Sequence, residues 1–208
     1  MNEPSAYRAA DIRAAERPLL DAGVPLMARA AAGLARELRA FDGPLLVLAG
    51  SGNNGGDALF AVAELAAEGR TVRIVALSHR VHEAGLAAAV GSGTTVHDAR
   101  EASALAPGAV VVDGILGTGS AGRAALRGTA RDVVDALRPL APTTVAVDLP
   151  SGVDPDTGEV PDPAVLPAAV TVTFGALKPG LLREPGASYA GRVVLIDLGL
   201  DMSGFTPA

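Results

Sequence analysis

Apolar residues follow two different patterns along the chain, and the change comes near residue 43. Before it, apolar positions recur at helical spacing and predict a first helix, capped by Ser5, that runs through Asp11 to Leu20, and a second over Leu26–Phe41. After it come short apolar runs, the first over residues 44–50. Because this run is continuous rather than alternating, it indicates a strand buried on both faces, as in a parallel sheet.

The strand–helix unit recurs to the end of the chain. Alternating strands and helices imply a parallel, doubly wound α/β sheet with helices on both faces. The sequence therefore predicts one domain over residues 1–208, with a helical arm over 1–42 and an α/β core over 43–208. The further predicted strands cover residues 72–77, 94–97, 109–113, 143–148, 169–174 and 192–197, and the helices between them cover residues 57–68, 85–90 and 130–137.

Composition and charge narrow the class of protein. Hydrophobic residues make up 49% of the chain and aromatic residues 3%, which favours a core of small aliphatic side chains. There is no Cys, so a disulfide framework, a thiolate metal site and a cysteine nucleophile are excluded. The net charge is −6 without a basic run, and the longest uncharged stretch, residues 163–177, is too short for a membrane helix. We therefore expect a cytoplasmic protein that binds neither nucleic acid nor membrane.

A glycine-rich run between a predicted strand and a predicted helix is the first candidate ligand site. It reads Gly-Ser-Gly-Asn-Asn-Gly-Gly-Asp over residues 50–57. Glycines let the backbone approach a ligand closely, and a helix N-terminus offers free amides to an anion. Asn53 and Asn54 add polar side chains, and Asp57 would either cap the helix or bind a ligand hydroxyl. The run matches neither the dinucleotide fingerprint nor a P-loop, and a plain glycine-rich turn is the alternative.

Asp113 ends another predicted strand and opens a second glycine-rich loop, residues 114–119. In doubly wound sheets ligands bind beyond the carboxyl ends of the strands, so this loop belongs to the same edge as the first. Arg123 and Arg127 follow within reach of a phosphate, although each is equally consistent with a solvated loop.

Asp148 places a second carboxylate at that edge, and Ser151 follows it in a tight turn. Two carboxylates, an amide oxygen and a hydroxyl suit a hard cation, or they divide into a cation ligand and a general base. An Asx turn would explain either aspartate alone. Residues 154–158 indicate a plain turn, and Lys178 is either solvated or neutralises a phosphate.

Four segments together resemble the YjeF N-terminal domain family of NAD(P)H-hydrate epimerases, in that family's order and spacing. The resemblance implies a Rossmann-like, three-layer α/β/α sandwich, usually a homodimer. It also implies epimerisation of the R and S forms of hydrated NADH and NADPH, so that a dehydratase can repair the S form. The segments are Gly-Ser-Gly-Asn-Asn-Gly-Gly-Asp, Val-Asp-Gly-Ile-Leu-Gly-Thr-Gly, Val-Asp-Leu-Pro-Ser-Gly-Val-Asp and Thr-Val-Thr-Phe-Gly-Ala-Leu-Lys-Pro-Gly.

The resemblance also implies a set of site residues and one K⁺ per subunit. Two departures are visible: Ala58 stands where the family often has Gly, and residues 120–127 lack the usual proline-containing pattern. The second departure bears on the contacts of Arg123. The implied potassium ligands are Asn54, Asp113 and Ser151, and the implied substrate contacts are Asn53, Asn54, Gly55, Gly56, Asp57, Gly117, Thr118, Gly119, Ser120, Ala121, Gly122, Arg123 and Asp148.

Asp148 is our candidate acid/base. Inverting the hydroxyl-bearing carbon requires ring opening or loss of water, and either route needs a proton acceptor and a proton donor. We assign Asp113 to the cation, because a coordinated carboxylate makes a poor base. Asp148→Asn should keep the fold and ligand binding while losing most of the rate acceleration. The alternatives are a non-catalytic YjeF-like binding or scaffold module and another nucleotide enzyme on the same fold.

Overall fold

A computed structural model describes residues 5–208, and residues 1–4, at the start of the predicted arm, lie outside it. Seven strands form one sheet in which every neighbouring pair is parallel. The strands are β1 (Leu45–Ala49), β2 (Val72–Ala76), β3 (Thr95–His97), β4 (Val110–Gly114), β5 (Thr144–Val147), β6 (Val170–Phe174) and β7 (Arg192–Ile196).

Helices cover both faces of this sheet. No helix among residues 5–208 has the length and apolarity needed to cross a bilayer. The helices are α1 (Ala9–Asp21), α2 (Leu26–Leu38), α3 (Asn53–Ala67), α4 (Glu83–Gly91), α5 (Ala102–Leu105), α6 (Gly128–Leu137) and α7 (Ala187–Ala190).

Alternate residues of the central strands supply two separate cores. On β1, Val47 packs into the cluster formed with α2, α3 and α4, whereas Leu46 packs into the cluster formed with α5 and α6. Every residue of β1 and β4 is buried, as expected of a strand between two helical layers. The predicted Rossmann-like α/β/α sandwich is therefore confirmed, with the sheet wholly parallel. The predicted arm supplies α2, which is part of the first core, and α1, which covers the site described below.

The strand order is β3-β2-β1-β4-β5-β6-β7, so the chain starts in the middle of the sheet. It adds β2 and β3 on one side of β1 and then returns to place β4 on the other side. The loops after β1 and β4 consequently leave the sheet in opposite directions. Such a switch point opens a crevice at the carboxyl ends of the strands, where ligands of doubly wound sheets bind.

Three predicted helix boundaries were wrong. Ser5 does not cap α1, because the helix begins at Ala9 with Arg8 at the N-cap and no side-chain cap. The second helix ends at Leu38 rather than Phe41. The third begins at Asn53 rather than Asp57, after the extended backbone of Gly52. Asp57 is therefore inside the helix and is not its cap. Packing of α3 between α2 and α4 outweighs the poor helix propensity of its two glycines.

Candidate functional site

A cavity of about 520 Å³ lies at the switch point. The first turn of α3 and the loop after β4 form one side of it, and Asp148 lies at the end of β5. Side chains of α1, among them Ile12 and Glu16, complete its lining. All three segments that the sequence singled out thus contribute to one cavity.

Glycine is required where the loop after β1 contacts the loop after β4. A Cβ on Gly50 would overlap the carbonyl of Ile115, and a Cβ on Gly55 would overlap the carbonyl of Gly50. A Cβ on Gly117 would lie 2.9 Å from both the Asn54 Oδ1 atom and the Asp148 Oδ2 atom. These glycines therefore bring the polar side chains of neighbouring loops within reach of one another, while Gly52 has open space around its Cα.

The predicted cation ligands meet around the carbonyl of Leu116. This oxygen accepts hydrogen bonds from Asn54 Nδ2 at 2.9 Å and from Ser151 Oγ at 3.3 Å. Ser151 also donates its hydroxyl to Asp113 Oδ1 at 2.6 Å and its N–H to Asp113 Oδ2 at 2.8 Å. The structure thus brings together Asn54, Asp113 and Ser151, as the sequence predicts.

The Asp113 carboxylate is fully buried and forms no ion pair within residues 5–208. Burial raises the pKa of Asp113, and hydrogen bonds from Ser151 oppose that rise. No cluster of three or more His, Cys, Asp or Glu side chains in the described part of the chain is placed to hold a metal. The donors here are a carboxylate, a hydroxyl, an amide and a carbonyl, which are oxygen ligands of hard cations. This donor set fits an alkali cation, which would supply the missing positive charge.

Asp148 has a backbone conformation that non-glycine residues rarely adopt, with φ of 68°. Its N–H donates to the carbonyl of Val172 at 2.7 Å, which fixes the turn after β5. The Oδ1 atom accepts from Lys178 Nζ at 2.6 Å and from Thr173 Oγ1 at 3.2 Å. The Oδ2 atom accepts from the Thr118 N–H at 2.9 Å. Such strain, over-determined by several contacts, is typical of functional sites.

Lys178 is buried, with 1% of its surface exposed, and it is therefore not solvated. Besides Asp148, its ammonium donates to Thr173 Oγ1 and to the carbonyl of Phe174, each at 2.8 Å. The solvated reading drawn from the sequence was wrong, because the strand end of β6 directs Lys178 at the neighbouring strand end, and contact with a phosphate stays a prediction. It is the only lysine in the chain, beside 16 arginines. This single lysine is the signal in the sequence that could have identified the residue.

Two further carboxyl groups line the cavity, Asp57 from α3 and Glu16 from α1. Burial, together with the charges of Asp148 and Glu16, raises the pKa of Asp57 to about 8, against the opposing charge of Lys178. Burial also raises the pKa of Glu16, and the charge of Lys178 opposes this. Glu16 was not among the site residues predicted from the sequence, although it lies one helical turn after the buried Ile12 on the same face of α1.

Not every predicted substrate contact lines the cavity. Asn53, Asn54, Asp57, Asp148 and the residues from Gly117 to Ser120 do. Gly55 and Gly56 are buried in the packing of α3. The segment Ala121–Arg123 does not contribute to the lining, and the Arg123 side chain is exposed.

Asp154 does more than form the plain turn that the sequence indicates, because it also binds the loop after β4. Its Oδ1 atom accepts from the N–H groups of Asp156 and Thr157, which forms the turn, but Oδ2 accepts from the Gly122 N–H at 2.6 Å. Burial acts in the opposite direction, yet these hydrogen bonds hold the pKa of Asp154 below its ordinary value. Asp154 thereby anchors the loop that follows the cavity-lining residues.

Comparison with known proteins agrees with this geometry. An NAD(P)H-hydrate epimerase of Clavibacter michiganensis subsp. michiganensis is 58% identical, over 97% of this chain and 93% of that protein. The bifunctional NAD(P)H-hydrate repair enzyme Nnr of Mycobacterium tuberculosis is 42% identical, over 95% of this chain and 42% of that enzyme.

A solved structure supports the fold, and a family model identifies the family. The crystal structure of yeast ynu0, YNL200c, has a TM-score of 0.75 and 22% identity, covering 91% of this chain and 86% of that one, which supports the fold. A model of the family described as the YjeF-related protein N-terminus matches residues 24–180. Since this match spans most of the chain and relatives match nearly all of it, the chain belongs to the family of YjeF-related protein N-termini.

Proposed function

We infer that this chain is an isomerase that interconverts the R and S forms of hydrated NADH and NADPH. The observation that carries this inference is the Asp148 carboxylate, fixed by Lys178, Thr173 and the Thr118 N–H in a cavity beside a helix N-terminus. Close relatives bear the name NAD(P)H-hydrate epimerase.

The cavity separates an anion-binding part from a proton-transfer part. The first N–H groups of α3, at Asn53 and Asn54, have no acceptor within a regular helix, and with the helix dipole they favour a diphosphate. Asp148 lies at the neighbouring strand end, where the hydrated ring would meet it. A cavity of about 520 Å³ suits part of a dinucleotide, namely the hydrated ring and its ribose.

Asp148 is suited to accept the proton that epimerisation displaces. Its Oδ1 atom is held by the Lys178 ammonium and the Thr173 hydroxyl, which fixes the carboxylate plane. The group therefore meets the substrate already oriented, and a fixed general base contributes about 10²–10⁴-fold in rate.

The function is tested by mixing the purified chain with R-enriched hydrated NADH and following its conversion to the S form by chromatography. We expect conversion far faster than in the absence of the protein. If conversion equals that of the protein-free control while ADP-ribose still raises the melting temperature, the chain is a nucleotide-binding module and not an epimerase.

We further propose that Asn54, Asp113 and Ser151 hold one K⁺ per subunit, with the carbonyl of Leu116 as a neighbouring oxygen. The support is the buried Asp113 carboxylate, which lacks a cationic partner within residues 5–208, together with the Ser151 hydroxyl beside it and the nearby carbonyl of Leu116. When bound, the ion would neutralise Asp113 and fix the loop after β4. Asp113 would then be unavailable as a base, which leaves that role to Asp148.

The K⁺ proposal predicts a higher melting temperature in KCl than in choline chloride of equal ionic strength. At a K⁺ concentration 100 times the Kd, stabilisation should reach about 2.7 kcal/mol. Ser151→Ala, which removes one oxygen ligand, should shrink the difference, and the exposed Ser203→Ala should leave it unchanged. Equal melting temperatures of the wild-type protein in the two salts would rule out the site.

Three expectations from the sequence stay proposals: a homodimer, a functional link to an NAD(P)H-hydrate dehydratase and a cytoplasmic location. The link is supported by relatives named bifunctional NAD(P)H-hydrate repair enzymes. Sedimentation of the purified chain would test the first of these, and copurification with the dehydratase the second.

A further inference from the structure

Asp57 is a buried carboxyl group that lacks a polar partner. It is 9% exposed and lines the cavity from the second turn of α3. Within residues 5–208 its side chain makes no hydrogen bond and no ion pair, whereas Asp148 in the same cavity makes several. The carboxyl oxygens of Asp57 are open to the cavity rather than sealed inside the protein, so the polar partner that Asp57 lacks would be a ligand bound there.

The charges around Asp57 disfavour a second carboxylate there. Asp148 and Glu16 act on it with negative charge, and Lys178 acts with positive charge but is already paired with Asp148. Burial and the two carboxylates together raise the pKa of Asp57 to about 8. Two carboxyl groups of one cavity thus differ in their surroundings: Asp148 is paired with an ammonium, and Asp57 is not. Such divergence is how enzymes obtain an acid and a base from one residue type.

We propose that Asp57 is the proton donor of the epimerisation, acting opposite Asp148 as the proton acceptor. This inference rests on the function proposed above and adds a second catalytic residue to it. The neutral carboxyl of Asp57 has an O–H donor without an acceptor among residues 5–208. The hydrated ring offers two acceptors, its hydroxyl oxygen and its ring nitrogen.

Proton transfer balances in either route. In ring opening, Asp148 takes the hydroxyl proton, a C=O bond forms, and the C–N bond breaks with its electron pair moving to nitrogen, which takes the proton of Asp57. Closure on the other face of the carbonyl reverses both transfers and restores both residues.

In water loss, Asp57 protonates the leaving hydroxyl, and the ring nitrogen supplies the electron pair for a C=N bond. The water that adds to the other face then gives its proton to Asp148. Transfer from Asp148 to Asp57 then restores both.

Glu16 acts on this donor from α1 as a positioning residue. Its charge is one of those that keep Asp57 protonated, and its own side chain lines the cavity without a hydrogen bond or ion pair in the described part of the chain. If Asp57 is the donor, neutralising Glu16 must make Asp57 ionise at lower pH.

The test compares pH–rate profiles of the full chain for R-to-S conversion. We expect Asp57→Asn to lose at least about 100-fold in kcat while binding ADP-ribose as the wild type does. In the wild type kcat/KM should fall as pH rises through about 8, because the donor of the free enzyme ionises there. Glu16→Gln should move this fall to lower pH. Glu64→Gln on α3 and Asp21→Asn on α1, both exposed, are matched controls and should change neither.

A wild-type rate in Asp57→Asn, or an unmoved profile in Glu16→Gln, would overturn the proposal. A ¹³C carboxyl NMR titration, assigned by the signal lost in Asp57→Asn, supplies a readout independent of turnover. A midpoint near the ordinary value of 3.8 would also overturn it. If the wild type itself converts no hydrated cofactor, the proposed function falls and the donor role falls with it. If the wild type is active and Asp57→Asn converts the R form equally fast, only the donor role of Asp57 is excluded, and the proposed function stands.

Discussion

Lys178→Met is expected to lower the free energy of unfolding by about 3–5 kcal/mol and to abolish most epimerase activity. The substitution removes the only cation that contacts Asp148 in the described part of the chain, and it leaves a buried carboxylate at a strained turn. It also frees Thr173 Oγ1 and the Phe174 carbonyl, which both accept from the ammonium. Arginine is no substitute, because its planar fork does not fit a point-charge site that is 1% exposed.

The stability change is measured by urea unfolding, with the exposed Arg192→Gln as a control of equal charge change. The double variant Lys178→Met with Asp148→Asn separates charge from packing. If the cost comes from the unpaired carboxylate, the double variant should be more stable than Lys178→Met alone. A Lys178→Met protein as stable as Arg192→Gln would show that the buried pair does not hold the turn after β5.

The fold could be read from the sequence because its signal is local and repeated. Continuous apolar runs such as residues 44–50 mark strands buried on both faces, and several of these runs are followed by helical sequence. The start of α3 could not be read in the same way. Asn-Asn-Gly-Gly is a poor helix-forming sequence, and only tertiary packing against α2 and α4 makes Asn53–Gly56 helical.

The candidate site could likewise be predicted from the sequence only in part. Strand-end aspartates are visible in the sequence because the carboxyl ends of parallel strands share one edge, and Asp113 and Asp148 were placed correctly there. Partners that come from another element are not visible. Lys178 belongs to the segment after β6 and Glu16 to α1, and nothing local to either residue specifies that it faces Asp148. These long-range contacts set the charges around Asp148 and Asp57, so the sequence could name the candidate base but not its donor.

Asp148→Asn is expected to lower kcat by about 10³-fold, within the range for loss of a general base. The sequence suggests that this variant keeps its fold, and the structure adds that it should also lose some stability. Asparagine tolerates positive φ better than most residues, so the turn after β5 should form, and its Oδ1 atom can still accept from Lys178. Its amide cannot accept the Thr118 N–H that Asp148 Oδ2 binds, and the Lys178 ammonium loses its counter-charge. Some loss of stability should therefore accompany the loss of rate.

The loss of rate and the loss of stability in Asp148→Asn can be separated because they depend on different contacts. Asp132→Asn, at an exposed position on α6, is the matched control and should match the wild type in rate and melting temperature. Below the melting temperature of Asp148→Asn, ADP-ribose should bind it about as tightly as it binds the wild type, because the helix N-terminus at Asn53 and Asn54 is intact. A folded, ligand-binding Asp148→Asn that converts the R form at the wild-type rate would remove Asp148 from the mechanism. The base would then have to come from the two carboxyls that share its cavity, Asp57 and Glu16.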